Sequence, residues 1–125
     1  MFSHVMLGAN DIEASKEFYD AALGAMGAKP GVVDPKGRAM YFHNGSLFML
    51  SKPIDGEAAS SANGSTIGFA AATPEDADAF HKEGLAHGGT AIEDPPGWRE
   101  GNGMRLYLAY LRDPAGNKIC ALCRG

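Results

Sequence analysis

Two cysteines near the C-terminus, Cys120 and Cys123, have the spacing of many metal-binding and redox-active pairs. Such chemistry requires a turn or the start of a helix to bring both sulfurs together. Here the pair lies in the segment Lys118-Ile119-Cys120-Ala121-Leu122-Cys123, whose composition predicts a β-strand. Residues three apart on a strand point to opposite faces of the sheet. The spacing therefore favours two separate reduced thiols over a paired function.

The only tryptophan, Trp98, lies in a glycine- and proline-rich segment that runs from Pro95 to Gly103. Connections of this length often cover a binding site, and Trp98 with Arg99 would suit a planar anionic ligand. The alternative is that Trp98 packs on the rim of the domain or on a neighbouring subunit. Tyr110, on the next predicted strand, is a further candidate ligand contact, although the sequence does not fix the face on which it lies.

The composition limits the classes of partner. The chain has 125 residues, and this length predicts one domain over residues 1–125. Its net charge is −4. No stretch approaches the roughly 20 apolar residues that cross a membrane, and no cluster of basic residues offers a surface for phosphates. We therefore expect neither a membrane nor a nucleic-acid partner. A cytoplasmic location is expected because no signal-peptide pattern precedes the first predicted strand.

An internal repeat organises the chain. Sliding the sequence along itself superposes Ser3-His4-Val5-Met6-Leu7 on Ser65-Thr66-Ile67-Gly68-Phe69, and the same shift places Phe80 on Phe18. A repeat with this shift of 62 positions indicates two copies of one supersecondary unit. The predicted organisation is a first module at about residues 1–54, a linker rich in alanine, serine and glycine at about 55–63, and a second module at about 64–125.

Each copy predicts the same order of elements: a strand, a helix and three further strands. Asn10-Asp11 and Thr73 are residue types that begin helices, and Pro74 suits the first helical position. Gly27 and Gly88-Gly89 provide the signals that end them. The later strands are predicted at residues 31–33, 38–42 and 47–51 in the first copy and at 90–93, 105–112 and 118–123 in the second.

These features resemble the vicinal-oxygen-chelate superfamily, which includes glyoxalase I, bleomycin-resistance proteins and extradiol dioxygenases. The resemblance covers nearly the whole chain. It rests on Ser3-His4-Val5 with Phe18-Tyr19, on the second copy starting at Thr66-Ile67-Gly68-Phe69, and on Arg112-Asp113-Pro114-Ala115-Gly116-Asn117-Lys118-Ile119. It implies an α+β fold in which two βαβββ modules pair into an open, cupped mixed β-barrel with the helices outside.

In metal-dependent members of that superfamily, the ligands lie on the first and last strands of each module. The resemblance places His4, Met49, Thr66 and Cys120 at these positions, and only His4 is a usual ligand. Hard divalent ions prefer carboxylates and imidazoles, so no cofactor is expected. One alternative is a soft ion such as Cu(I) on His4, Met49 and Cys120. The other is that these residues simply line the wall of the cup.

Strand alternation predicts which side chains face the cup, because residues two apart share a face of the sheet. The side chains predicted to face the cup are a mixture of small, polar and sulfur-bearing residues, which suits a moderately apolar ligand pocket and equally an inert core. The predicted inward residues are His4, Met6, Leu47, Met49, Thr66, Gly68, Lys118 and Cys120. The residues between them, Val5, Leu7, Phe48, Leu50, Ile67, Phe69, Ile119 and Ala121, should meet the helices.

Three classes of function follow from the resemblance. The first is a metal-free protein that binds a small organic molecule in a cleft shared by two subunits. The second is a lyase, isomerase or dioxygenase of the glyoxalase type with a nonstandard site, and the third is a structural dimer without a ligand. The missing metal ligands favour the first. Its predicted ligand contacts are His4, Met49, Thr66, Cys120, Trp98, Arg99 and Tyr110.

Overall fold

The computed structural model describes residues 1–125 and contains two helices and nine strands. The protein is α+β, as the resemblance implies. In chain order the elements are β1 (Val5–Gly8), α1 (Ile12–Gly24), β2 (Val32–Val33), β3 (Ala39–His43), β4 (Ser46–Ser51), β5 (Ile67–Ala70), α2 (Pro74–Ala86), β6 (Thr90–Ala91), β7 (Gly97–Gly101), β8 (Met104–Arg112) and β9 (Lys118–Arg124).

Both helices begin where the sequence predicts. The Asp11 carboxylate accepts a hydrogen bond from the backbone N–H of Ala14 at 3.1 Å, and the Thr73 hydroxyl accepts one from Asp76 at the same distance. Each bond satisfies a backbone donor that the first helical turn leaves unpaired. Neither helix is long and apolar enough to span a membrane.

The strands form two mixed sheets. The first has the order β1-β4-β3-β2 and the second the order β5-β9-β8-β6, with β7 paired to β8. In each sheet the first strand of the module runs parallel to the last, and the other neighbours are antiparallel. No backbone ladder joins the two sheets, so they do not close into a barrel.

The prediction of a loop from Pro95 to Gly103 was wrong. Gly97–Gly101 forms β7, which pairs antiparallel with the first half of β8. The hairpin turns at Asn102 and Gly103, both with positive φ, as the two-residue turns of hairpins require. Pairing with β8 thus overrides the low strand propensity of two glycines.

One hydrophobic core joins both modules. It contains Phe18 and Tyr19 of α1 and Phe80 of α2, and the sheet residues predicted to meet the helices either belong to it or pack against it. The Phe48 and Phe69 rings meet edge to face across the modules with centroids 5.1 Å apart. The face of each sheet that points away from the helices lies outside this core, although its central residues Met49 and Cys120 are themselves buried. We call these two surfaces the open faces.

A buried polar network also ties the second module to the first. The Tyr19 hydroxyl donates to Asp113 at 2.7 Å, and the Asn117 amide donates to Asp113 and to the carbonyl of Gly8, both at 2.9 Å. Burial and the neighbouring Asp113 carboxylate raise the pKa of Tyr19 well above its ordinary value. The Asp-Pro-x-Gly-Asn turn, the most specific motif in the sequence, therefore has a structural role.

Candidate functional site

Three methionines lie side by side on the open face of the first sheet. Met49 on β4 pairs in register with Met6 on β1 and with Met40 on β3. Met49 is 5% exposed, whereas Met6 at the outer side of this row is 41% exposed. Thioether side chains are flexible and polarisable, so the row forms an adaptable apolar surface.

Cys120 occupies the equivalent central position on the open face of the second sheet. It pairs with Gly68 of β5 on one side and with Tyr110 of β8 on the other. The thiol is only 5% exposed, and burial raises the pKa of Cys120 to about 11. The ammonium group of Lys118 lies 5.0 Å from the centre of the Tyr110 ring and pairs with Glu93.

The remaining two family positions lie just before the strands. His4 and Thr66 precede β1 and β5 by one residue, and both are exposed. The Nδ1 atom of His4 is 2.8 Å from the hydroxyl oxygen of Ser3. Met49 and Cys120 belong to different sheets. The structure thus places Met49 and Cys120 on the last strand of each module, whereas His4 and Thr66 lie one residue outside the first strands on which they were predicted.

This donor set does not fit a hard divalent ion. It offers one imidazole, one thioether, one hydroxyl and a thiol whose raised pKa keeps it protonated near neutral pH. Nowhere in the chain are three histidine, cysteine, aspartate or glutamate side chains grouped so that they could hold a metal. No chemistry that passes through a metal is therefore assigned to these residues.

Trp98 does not cover the open face, so its predicted place over the cup was wrong. It pairs with Tyr107, and the two rings meet edge to face with centroids 5.3 Å apart. Tyr107 in turn donates a hydrogen bond of 2.5 Å to Asp78 of α2, which fixes this side as the helix side of the sheet. The Arg105 guanidinium lies 4.0 Å from the centre of the Trp98 ring and covers it.

Arg99 and Tyr110 fall on the opposite side from Trp98. Arg99 pairs with Leu106, but its guanidinium donates to the backbone carbonyls of Asp94 and Pro95 at 3.1 Å. That side chain therefore holds the turn before β7. Tyr110 lies beside Cys120 on the open face, which settles the parity that the sequence left open.

A second concave region was not predicted. A cavity of about 340 Å³ lies between the modules, and of the predicted ligand contacts only His4 lines it. Its walls come from positions scattered between Phe2 and Ala70, so no local motif could have indicated it. The other predicted contacts lie outside this cavity.

Paired modules with these strand positions define the class of protein. The sequence matches the model of the Glyoxalase/Bleomycin resistance protein/Dioxygenase superfamily over residues 1–121, and the chain belongs to this superfamily. A glyoxalase/bleomycin resistance protein from Albidiferax ferrireducens T118 is 57% identical, with a TM-score of 0.95 and 99% of both chains covered.

A more distant structure shows the same fold. A glyoxalase/bleomycin resistance protein/dioxygenase family enzyme from Burkholderia phytofirmans PsJN is 21% identical, with a TM-score of 0.73. The alignment covers 97% of this chain and 96% of that one. The comparison with curated proteins gave no match.

We expect Cys120 to react slowly with a small maleimide at pH 7. With a pKa near 11 instead of the ordinary 9.0, its thiolate fraction is about 100-fold lower. Cys123 lies within the shared core, whereas Cys120 borders the open face. Labelling from pH 7 to 10 followed by peptide mapping measures both rates. A Cys120 rate at pH 7 equal to that of a free thiol would contradict the burial of this side chain.

Proposed function

We propose that this protein binds a small, largely apolar organic molecule against its open faces and does so without a divalent metal. The observation that carries the proposal is the chemistry at the four family positions. They combine Met49 and Cys120 with only one imidazole, that of His4, and contain no carboxylate. This set supports binding better than a metal-assisted reaction.

The side chains around these positions support an apolar ligand. Met6 is 41% exposed and Phe42, on the same open face, is 61% exposed. Large apolar groups left exposed together mark binding surfaces more often than inert ones. Tyr110 adds an aromatic face and a hydroxyl on the second sheet, and burial raises the pKa of Tyr110, so the hydroxyl remains a neutral donor.

Cys120 does not supply catalysis in this proposal. A nucleophilic cysteine needs a lowered pKa, and burial shifts the pKa of Cys120 in the opposite direction, to about 11. A carboxylate base of the kind used by glyoxalases has no counterpart at the family positions. The thiol is therefore assigned to the wall of the site.

The function is tested by elemental analysis combined with a thermal-stability screen of small aromatic and aliphatic compounds. We expect no stoichiometric Zn, Ni, Mn or Fe, and at least one compound that stabilises the protein, by about 2.7 kcal/mol at 100 times its Kd. Met49→Gln should weaken that compound about tenfold or more, because a buried amide would lack partners. Met104→Gln, at the exposed start of β8, is the matched control. Near-unity metal occupancy would contradict the proposal.

We further propose that a second copy of the chain covers the open faces, so that the protein is a homodimer. β1 and β5 leave one sheet edge each unpaired, and Phe42 and Met6 expose apolar surface. Light scattering should give twice the chain mass of 13.1 kDa at micromolar concentration. Phe42→Glu should shift the protein towards monomer, whereas Leu85→Glu on α2 should not. A wild-type species of 13.1 kDa would contradict the proposal.

A further inference from the structure

The cavity of about 340 Å³ lies where the two modules meet, and it borders the open faces only at His4, Leu47 and Gly68. β1 pairs only with β4, and β5 pairs only with β9, so each has one free edge. Residues of both β1 and β5 line the cavity. Its volume falls within the range of about 300–1,000 Å³ that small-molecule sites occupy.

The body of the cavity is apolar. The rings of Phe48 and Phe69, which meet edge to face, form part of the wall, and the end of α1 contributes further side chains. The Tyr41 hydroxyl donates its hydrogen bond to Asp20, so it cannot donate one to a ligand. The principal apolar lining residues are Val5, Leu23, Met26, Phe48, Ile67 and Phe69.

Polar groups gather where the chain enters β1 and where β3 turns into β4. Val5 pairs with Phe48, so His4 lies beside the start of β4, close to the turn that carries His43 and Asn44. His4 uses Nδ1 towards Ser3, and His43 uses Nε2 towards Asn44. The second ring nitrogen of each histidine has no hydrogen bond within the chain.

The charge of the lining restricts the ligand further. The cavity wall contains no aspartate, glutamate, lysine or arginine. A cationic head group would lose its hydration without gaining a counter-charge. The same holds for a carboxylate. An uncharged head group can instead exchange hydrogen bonds with the two imidazoles and the Asn44 amide.

We propose that this cavity is a second binding site, distinct from the methionine row and Cys120 on the open faces, for a small amphiphile with an aromatic or aliphatic body and one uncharged polar head. The body lies between the modules against Phe48 and Phe69. The head lies at His4 and His43. His4 belongs to both sites, but every variant tested below changes a residue that belongs to at most one of them, so the two proposals can fail separately.

The test uses four probes with one aromatic ring: toluene, benzyl alcohol, phenylacetate and benzylammonium. Methyl NMR of the wild-type protein should show shifts at Leu23, Met26 and Ile67 with toluene and benzyl alcohol. Benzylammonium and phenylacetate should each bind about tenfold or more weakly than benzyl alcohol, because their charges are unpaired in the cavity. Met49→Gln should leave these shifts unchanged, which separates this site from the open faces.

Two variants test separately the part of the cavity that holds the apolar body of the ligand and the part that holds its polar head. Ala28 lines the cavity, and Ala28→Phe should fill it and abolish the shifts, whereas Ala58→Phe in the exposed linker should not. His43→Ala should weaken benzyl alcohol up to about tenfold and leave toluene unchanged, since only the alcohol uses the imidazole. Because toluene reports on the intact body of the cavity, it also shows that the variant is folded.

The proposal is overturned if no probe shifts the Leu23, Met26 and Ile67 methyl groups at millimolar concentration. It is equally overturned if folded Ala28→Phe binds as the wild type does, or if benzylammonium binds as well as benzyl alcohol. Shifts confined to Met6, Met40 and Met49 would place the probes on the open face and would count against this site while supporting the proposed function.

Discussion

Replacing Asp113 with alanine is expected to lower the free energy of unfolding by about 3 kcal/mol or more. The carboxylate accepts four hydrogen bonds, from the Tyr19 hydroxyl, the Asn117 amide and the backbone N–H groups of Ala115 and Asn117. Asp113 and Asn117 are each only 3% exposed, so water cannot replace the lost acceptor. Urea denaturation followed by circular dichroism measures the change.

Two milder variants show whether the network itself is responsible. Tyr19→Phe removes one donor and leaves the others paired, so we expect a loss of about 1 kcal/mol. Asp94→Ala, at an exposed acid whose carboxylate makes no hydrogen bond, should stay within about 0.5 kcal/mol of the wild type. If Asp113→Ala were as mild as Asp94→Ala, the turn would not tie the modules together.

Phe18→Ala is expected to cost about 3–5 kcal/mol, which is a large share of the stability of a domain of this size. The Phe18 side chain is fully buried, and its ring meets Tyr19 edge to face with centroids 4.8 Å apart. It also fills the space left by two glycines of the second module: a Cβ added at Gly84 or Gly89 would lie 3.1 or 2.5 Å from its ring. Thermal and urea denaturation provide the measurement.

Two controls accompany this variant: one makes the same substitution at an exposed position, and the other removes less volume at the same position. Phe2→Ala removes the same side chain from a position that is 80% exposed and should change the free energy of unfolding by less than about 0.5 kcal/mol. Phe18→Leu should cost less than Phe18→Ala because the cavity that remains is smaller. A cost below about 2 kcal/mol for Phe18→Ala would show that the interface between modules relaxes to fill the gap.

The order of the elements could be predicted because the signals are local. Asp11 and Thr73 cap their helices through bonds to residues three positions away, and such signals are visible in a short window. Alternation along β1, β4, β5 and β9 also placed the core residues correctly. β7 was missed because its pairing with β8, and not its glycine-containing sequence, stabilises it.

The arrangement of the site was harder to predict from the sequence, because it depends on the register between strands. Met40 was not predicted beside Met49 because no local rule states which residue of β3 pairs with it. The same lack of register left Tyr110 without an assigned face and put Trp98 over the wrong side of its sheet. A shift of one residue in the pairing of β8 would move each of these side chains to the other face of the sheet.

The bond between Tyr19 and Asp113 has a consequence for how the chain folds during synthesis. The two residues lie 94 positions apart, so α1 leaves the ribosome long before its buried partner is made. Until then the first module holds a tyrosine hydroxyl that its own residues do not pair. Contacts of such long sequence separation form late and slow the folding of a domain. The first module therefore reaches its final packing only after Asp113 has been synthesised.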